Sequence, residues 1–143
     1  MVAVSACLLG LNCRYEGDHR RSVDTQEILN RLQCKNVVPF CPEVNILGAP
    51  REPIDLFRFH DRIEAVGRES KRVYTKKIEL EAERFKKSFD SVNLFIFKSK
   101  SPSCALCSAK VYTPEGAVME KRASGIFAKK MKIWYKDAKF MEI

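Results

Sequence analysis

Three cysteines occupy equivalent places after three short apolar runs. Cys7 follows Val2-Ala-Val-Ser-Ala, Cys41 follows Val37-Val-Pro-Phe, and Cys104 follows Leu94-Phe-Ile-Phe by way of the loop Lys98-Ser-Lys-Ser-Pro-Ser. The runs are too short and too β-branched or aromatic for helices, so each reads as a strand. Each cysteine therefore lies just past a strand's carboxyl end. In an open parallel α/β sheet those ends line one edge, and ligands bind in the crevice there. Three thiols distant in sequence become neighbours, and thiolate is the ligand that iron–sulfur clusters and zinc take. Free cysteine is also among the most buried residue types, and for Cys34, on the polar tail of the first helix, burial is the better account. For the strand-end three the loops argue otherwise. Leu8-Leu-Gly-Leu-Asn, Pro42-Glu-Val-Asn-Ile-Leu-Gly and Ser101-Pro-Ser are rich in Gly, Pro and Ser, and loops on a rigid sheet are where sites concentrate. Cys104 and Cys107 make one CxxC with no second half, so the spacing is not that of a zinc ribbon.

Glu43, two residues beyond Cys41, is the candidate for acid–base work, because a carboxylate held away from water beside a cluster has a shifted proton affinity. The competing reading is a loop carboxylate paired with a cation such as Arg51. Ser101 and Ser103 are open between two roles, since hydroxyls in a Ser-Pro-Ser turn commonly cap backbone amides. His19 and His60 show no partner spacing and read as surface residues.

The elements that position these residues are legible as an alternation. Strands are expected at Val2–Ser5, Val37–Phe40 and Leu94–Phe97. Between the first two, Asp24 and Glu27 form a capping-box pattern ahead of Ile28, Leu29 and Leu32. Ile78, Ala82, Phe85 and Phe89 fall on one helical stripe with charged residues between them. Further strands are expected at Ile63–Val66 and at Lys110–Thr113, the latter entering a Pro114-Glu115-Gly116 turn. A helix over Ser124–Met131 and a last strand at Ile133–Tyr135 complete the series. This alternation favours a three-layer, Rossmann-like α/β architecture, a mostly parallel sheet with helices on both faces.

The chain of 143 residues fits one domain, 1–143, with a core large enough to need no disulfide staples. No internal repeat or linker divides it. The start carries no signal pattern and no segment approaches the roughly 20 apolar residues of a membrane span, so a cytoplasmic address and reduced thiols are expected. The formal net charge of +8 invites a polyanionic partner such as RNA or DNA. Many of the cations, among them Lys76, Lys77, Lys86, Lys87, Lys129, Lys130 and Lys132, sit on expected helices and the C-terminal segment, where a solvated face accounts for them.

Three strings taken together resemble a known family. They are Ser5-Ala-Cys-Leu-Leu-Gly with Cys13-Arg-Tyr-Glu-Gly, Val38-Pro-Phe-Cys-Pro-Glu with Gly48-Ala-Pro-Arg, and Lys98-Ser-Lys-Ser-Pro-Ser-Cys. In this order they resemble the domain of unknown function 523 family, which includes the thiouracil desulfidases; Gly125-Ile-Phe-Ala also fits. The resemblance implies a [4Fe-4S] cluster held by three cysteines, with one iron free to act as a Lewis acid, and removal of sulfur from a thiopyrimidine without net redox change. Carried over by motif, Cys7, Cys41 and Cys104 are the ligands, Glu43 shuttles protons for the attacking water, and Ser101 assists positioning. Cys13 shares the first loop with Cys7 and is the alternative to it, as ligand or as a neighbouring thiol. The sequence departs from the family pattern at Ala105, where a Gly is usual, at the additional Cys107, and in the charged stretch Met119-Glu-Lys-Arg-Ala-Ser-Gly. The basic charge leaves thiolated nucleotides or RNA open as substrates beside a free base. A competing class is a zinc-containing nucleic-acid-binding module, prompted by the same charge and by Cys104 and Cys107.

Overall fold

The computed structural model describes residues 1–143. Four strands, β1 (Val2–Ser5), β2 (Val37–Phe40), β5 (Leu94–Phe97) and β8 (Lys139–Glu142), form a sheet in the order β2-β1-β5-β8. All its pairings are parallel, with Val2 opposite both Val37 and Leu94, and Leu94 opposite Lys139. Side chains alternate across a strand, and here the alternation divides two apolar clusters. Ala3, Phe95 and Phe97 face one side, with α3 (Thr75–Ser88) and α4 (Ile126–Trp134); Val2, Val4 and Ile96 face the other, with Leu29 of α1 (Val23–Arg31). The mostly parallel, helix-covered sheet expected from the sequence is therefore present.

A second four-stranded sheet stands beside it. It is built from β3 (Ile54–Phe59), β4 (Arg62–Gly67), β6 (Ala109–Tyr112) and β7 (Val118–Ala123), in the order β4-β3-β6-β7. β3–β4 and β6–β7 are antiparallel hairpins joined by a parallel β3–β6 pairing. Ile54, Leu56, Ala65, Ala109 and Val111 join the same core as α3 and α4. The strands expected at Ile63–Val66 and Lys110–Thr113 thus exist, but they belong to this second sheet.

Two local expectations are corrected. The first helix is capped by Ser22, whose hydroxyl accepts from the Thr25 amide at 3.1 Å; Asp24 lies inside the first turn, where a negative charge suits the exposed amides. The last strand is not Ile133–Tyr135. Ile133 and Trp134 continue α4, the Tyr135 amide closing on the Met131 carbonyl, because Phe127, Met131 and Tyr135 repeat every four residues and share the buried side of that helix. The final strand follows at Lys139–Glu142. No helix is long and apolar enough to cross a membrane.

Candidate active site

The carboxyl ends of β1, β2 and β5 converge on a cavity of about 400 Å³. Cys7 sits in a 3₁₀ turn, Ala6–Leu9, directly after β1. The turn ends at Gly10, whose φ of +93° is one that L side chains rarely adopt. Cys41 is the extended residue that caps α2 (Pro42–Leu47), and Cys104 closes the loop after β5. That loop is braced by the start of α4. The Gly125 amide donates to Ala105 O at 2.8 Å, Ile126 to Pro102 O at 3.0 Å and Ala128 to Ser103 O at 3.0 Å. A Cβ on Gly125 would lie 2.4 Å from the Ser103 carbonyl carbon, so only glycine permits this approach.

All three strand-end cysteines line the cavity, and Cys13 joins them. The first loop folds back to bring Cys13 to the same cavity as Cys7 and Cys41, and the Cys41 thiol donates to Cys13 O at 3.6 Å. The neighbouring Cys13 thiol, with Lys98 and Arg14, lowers the Cys7 thiol to about 7 against the resistance of burial. Cys41 is lowered by the same thiol and by the Val44 amide. Cys13, flanked by two sulfurs, is pushed up. Cys104 is raised by complete burial and by the negative charge of Cys41, Glu43 and Cys7 around it. A pocket of sulfurs that cannot all ionise together is one that a cationic group would stabilise, because metal coordination deprotonates thiols outright. No three of these side chains stand as a ready ligand set for a single metal ion, but four thiols around one cavity supply the donor type that an iron–sulfur cluster takes.

Glu43 forms the ion pair with Arg51 that one of its two readings anticipated, and it does so in the cavity. One carboxylate oxygen accepts from Arg51 Nη2 at 2.9 Å, and the other accepts a hydrogen bond from the hydroxyl of Ser103. Glu43 and Arg51 are both buried by side chain, 11% and 5% exposed, and both line the cavity. Arg51 also donates to Cys13 O at 2.7 Å and Gly48 O at 3.0 Å. It thus ties together the Cys13 loop, the end of α2 and the carboxylate.

Ser101 likewise does two things. Its Oγ accepts from the amides of Ser103 (3.2 Å) and Cys104 (2.9 Å), the capping role anticipated for a Ser-Pro-Ser turn. A hydroxyl has two acceptor sites and one donor, so its remaining capacity is its proton. The Ser103 hydroxyl lies 3.5 Å away. Since Ser103 donates to Glu43, the consistent direction is Ser101 to Ser103 to Glu43.

The structure separates Cys104 from Cys107. Cys107 is exposed and its sulfur lies 3.5 Å from Glu142 Oε1, outside the cavity, so the CxxC does not act as a pair. Cys34 is also outside, its thiol on Asn36 O at 3.3 Å. His19 accepts from the Arg21 amide at 3.1 Å and His60 is exposed in the β3–β4 turn. Ser103, left open between two roles by the sequence, lines the cavity, as do Arg51 and the cations Arg14, Arg20, Lys98 and Lys100, which spacing did not single out as functional. Their signal was weak but present: Ser103 and Arg14 stand next to a cysteine, Arg51 closes the Gly48-Ala-Pro-Arg string, and Lys98 and Lys100 belong to the Lys98-Ser-Lys-Ser-Pro-Ser-Cys string, whereas Arg20 carried none.

A family model of 2-thiouracil desulfurase matches residues 2–138. The chain belongs to the 2-thiouracil desulfurase family. A solved structure of a [4Fe-4S]-dependent thiouracil desulfidase, TudS (DUF523Vcz), is 25% identical with a TM-score of 0.69, covering 99% of this chain and 89% of that one. The uncharacterized protein YbbK of Bacillus subtilis (strain 168) is 39% identical over 59 residues. That match takes in 39% of this chain and 36% of YbbK, so the chain matches little more than a third of that curated relative's length. Membership of a desulfurase family also removes the ground for a purely nucleic-acid-binding zinc module, whose CxxC the fold has split.

Proposed function

We propose that this chain is a non-redox desulfidase that exchanges the sulfur of a thiolated pyrimidine for oxygen from water, using a [4Fe-4S] cluster. The observation that carries the reading is that Cys7, Cys41 and Cys104, from three different strand ends, meet Glu43 and Ser101 in one cavity. Cys7, Cys41 and Cys104 would hold the cluster, with Cys13 as the neighbouring thiol. When bound, the group supplies an iron without a protein ligand that serves as a Lewis acid toward the thiocarbonyl sulfur.

The chain's own residues account for the rest. The reaction consumes water and a C=S group and yields C=O and hydrosulfide, so protons must leave the water and reach the departing sulfur or the ring nitrogen. Glu43, fixed by Arg51 on one oxygen, presents a carboxylate at the cavity that takes a proton from the attacking water. Ser101, with its oxygen occupied by two amides and its proton directed to Ser103, positions the Ser103–Glu43 chain beside the substrate. Arg14 and Arg20 are paired with Glu16 and Asp18, but Lys98 and Lys100 add positive charge to the lining, which supports a substrate carrying phosphate, a thiolated nucleotide, over the free base. A reducing, cytoplasmic setting and a single cluster-binding domain over residues 1–143 accompany this reading.

The test is anaerobic purification with iron, sulfide and zinc measured per chain, followed by incubation with 2-thiouracil and a thiouridine monophosphate in ¹⁸O-water. Sulfide release with ¹⁸O in the pyrimidine is expected, faster for the nucleotide. Iron-loaded protein that releases no sulfide from either compound would refute the reading. Alanine variants of Cys7, Cys13, Cys41 and Cys104 identify the ligands: loss of iron from all but Cys13→Ala is expected, and iron retained by Cys7→Ala would exchange the two.

A further inference from the structure

We propose that the outer face of the second sheet, β4-β3-β6-β7, binds single-stranded RNA beside the thiolated base, so that the cavity receives a base still within a polynucleotide. The identity of that base rests on the desulfidase reading; the surface stands on its own observations. Ile54, Leu56, Ala65 and Val111 face the core, so alternation and register put Phe57, Phe59 and Tyr112 on the opposite face, Phe57 directly opposite Tyr112. Their rings form a row, with centroids 5.8 Å apart between Phe57 and Tyr112 and 6.2 Å between Phe57 and Phe59. All three are only partly buried, and no helix covers them. Aromatic rings on the open face of a four-stranded sheet are a stacking platform for unpaired bases.

The charge around the row suits a phosphate backbone. Two acids on this face are paired: Asp55 takes a two-pronged contact from Arg68 at 3.0 and 3.1 Å, and Glu64 pairs with Arg62 at 3.2 Å. Lys110 is exposed next to Tyr112, and the register, Ala109 with Ala123 and Val111 with Glu120, places the Lys121-Arg122 pair across from it. The face is also continuous with the cavity. A hollow of about 230 Å³ shares Tyr15, Glu43, Lys100 and Pro102 with the cavity and runs out to Lys110 and Tyr112. A strand whose base enters the cavity would lay its neighbours along this hollow onto the rings. A second copy of the chain fits less well, because a twofold pairing of this face brings the same lysines together.

The probe is a fluorescein-labelled oligouridylate about 12 nucleotides long, titrated with the anaerobically purified protein and followed by anisotropy at several salt concentrations. Saturable binding is expected, with an affinity falling with log salt at a slope of about −2 for three neutralised phosphates. Tyr112→Ala should weaken it at least about fivefold, the lower end for loss of one stacked base. Lys110→Glu should weaken it and flatten the salt slope, and Tyr112→Phe, which keeps the ring, should bind as the parent does. No saturable binding at about 0.1 M salt would overturn the proposal. So would binding lost in Lys110→Glu but unchanged in Tyr112→Ala, which is plain polyanion attraction, or a dimer that Tyr112→Ala converts to monomer without affecting RNA binding. If Tyr112→Ala unfolds, photocrosslinking of a 4-thiouridine-containing oligonucleotide to the parent protein decides. Adducts on Phe57, Phe59 or Tyr112 support the surface, and adducts confined elsewhere refute it. RNA binding without sulfide release would sink the enzymatic reading alone; sulfide release from free thiouracil without RNA binding would sink the surface alone.

Discussion

Replacing Arg51 by methionine tests whether the site is held together by one guanidinium. Arg51 makes three polar contacts, to Glu43 at 2.9 Å, Cys13 O at 2.7 Å and Gly48 O at 3.0 Å, and its side chain is 5% exposed. Methionine fills a similar volume without donors, so the variant leaves a buried carboxylate and two carbonyls without this donor. Removing one partner of a buried ion pair costs about 3–5 kcal/mol, and the whole stability of such a domain is about 5–15 kcal/mol. Urea unfolding of the metal-free protein should show that loss as a shift in midpoint at unchanged slope. A cycle with Glu43→Gln separates charge from packing. If the unpaired carboxylate is the main cost, Arg51→Met should be at least about 1.5 kcal/mol less destabilising when Glu43 is already glutamine, within the coupling range of contacting pairs. An Arg51→Met cost below about 1 kcal/mol, or a coupling near zero, would refute the claim that Arg51 anchors the carboxylate.

Three further outcomes follow from the geometry. In metal-free protein, alkylation of Cys7 by iodoacetamide should rise with pH around a midpoint of about 7, because only the thiolate attacks. Lys98→Met should move that midpoint upward, since it removes a positive charge that favours the thiolate, and mass spectrometry of the labelled peptides reads both. Ser103→Ala removes the hydroxyl between Ser101 and Glu43; turnover should fall about 100-fold, the scale of a lost acid–base group, with iron content unchanged. A fall under threefold would show that the serine chain is structural only. Gly125→Ala should lower both the melting temperature and iron loading together, because its Cβ would sit 2.4 Å from the Ser103 carbonyl carbon and displace the Cys104 loop from α4. Normal iron content at an unchanged melting temperature would refute that bracing.

The placement of Cys7, Cys41 and Cys104 was legible because each follows a short apolar run, and parallel strands deliver their carboxyl ends to one edge whatever the intervening sequence. The stripe Ile78, Ala82 and Phe85 was legible for a similar reason: period and burial are both local properties of α3. The second sheet was not. Ile54–Phe59 alternates across a core face that exists only once α3 and α4 have packed, and its partner β6 lies some 50 residues away in the chain. Ile133–Tyr135 was misleading because a short apolar run reads equally as buried strand or helix end, and the packing of Tyr135 under α3 decides between them. Glu43 illustrates the division most sharply. The residue type and its distance from Cys41 announced a carboxylate at the site, but whether it is a loop ion pair or a working group depended on where Arg51 and Ser103 came to rest. The sequence by itself determined which chemistry the chain carries, since thiols, a carboxylate and hydroxyls are written into its residues. Only the tertiary structure decided that Cys13 lines the cavity and Cys107 does not, because distance between side chains is set by how loops fold back on the sheet, a property no local pattern contains.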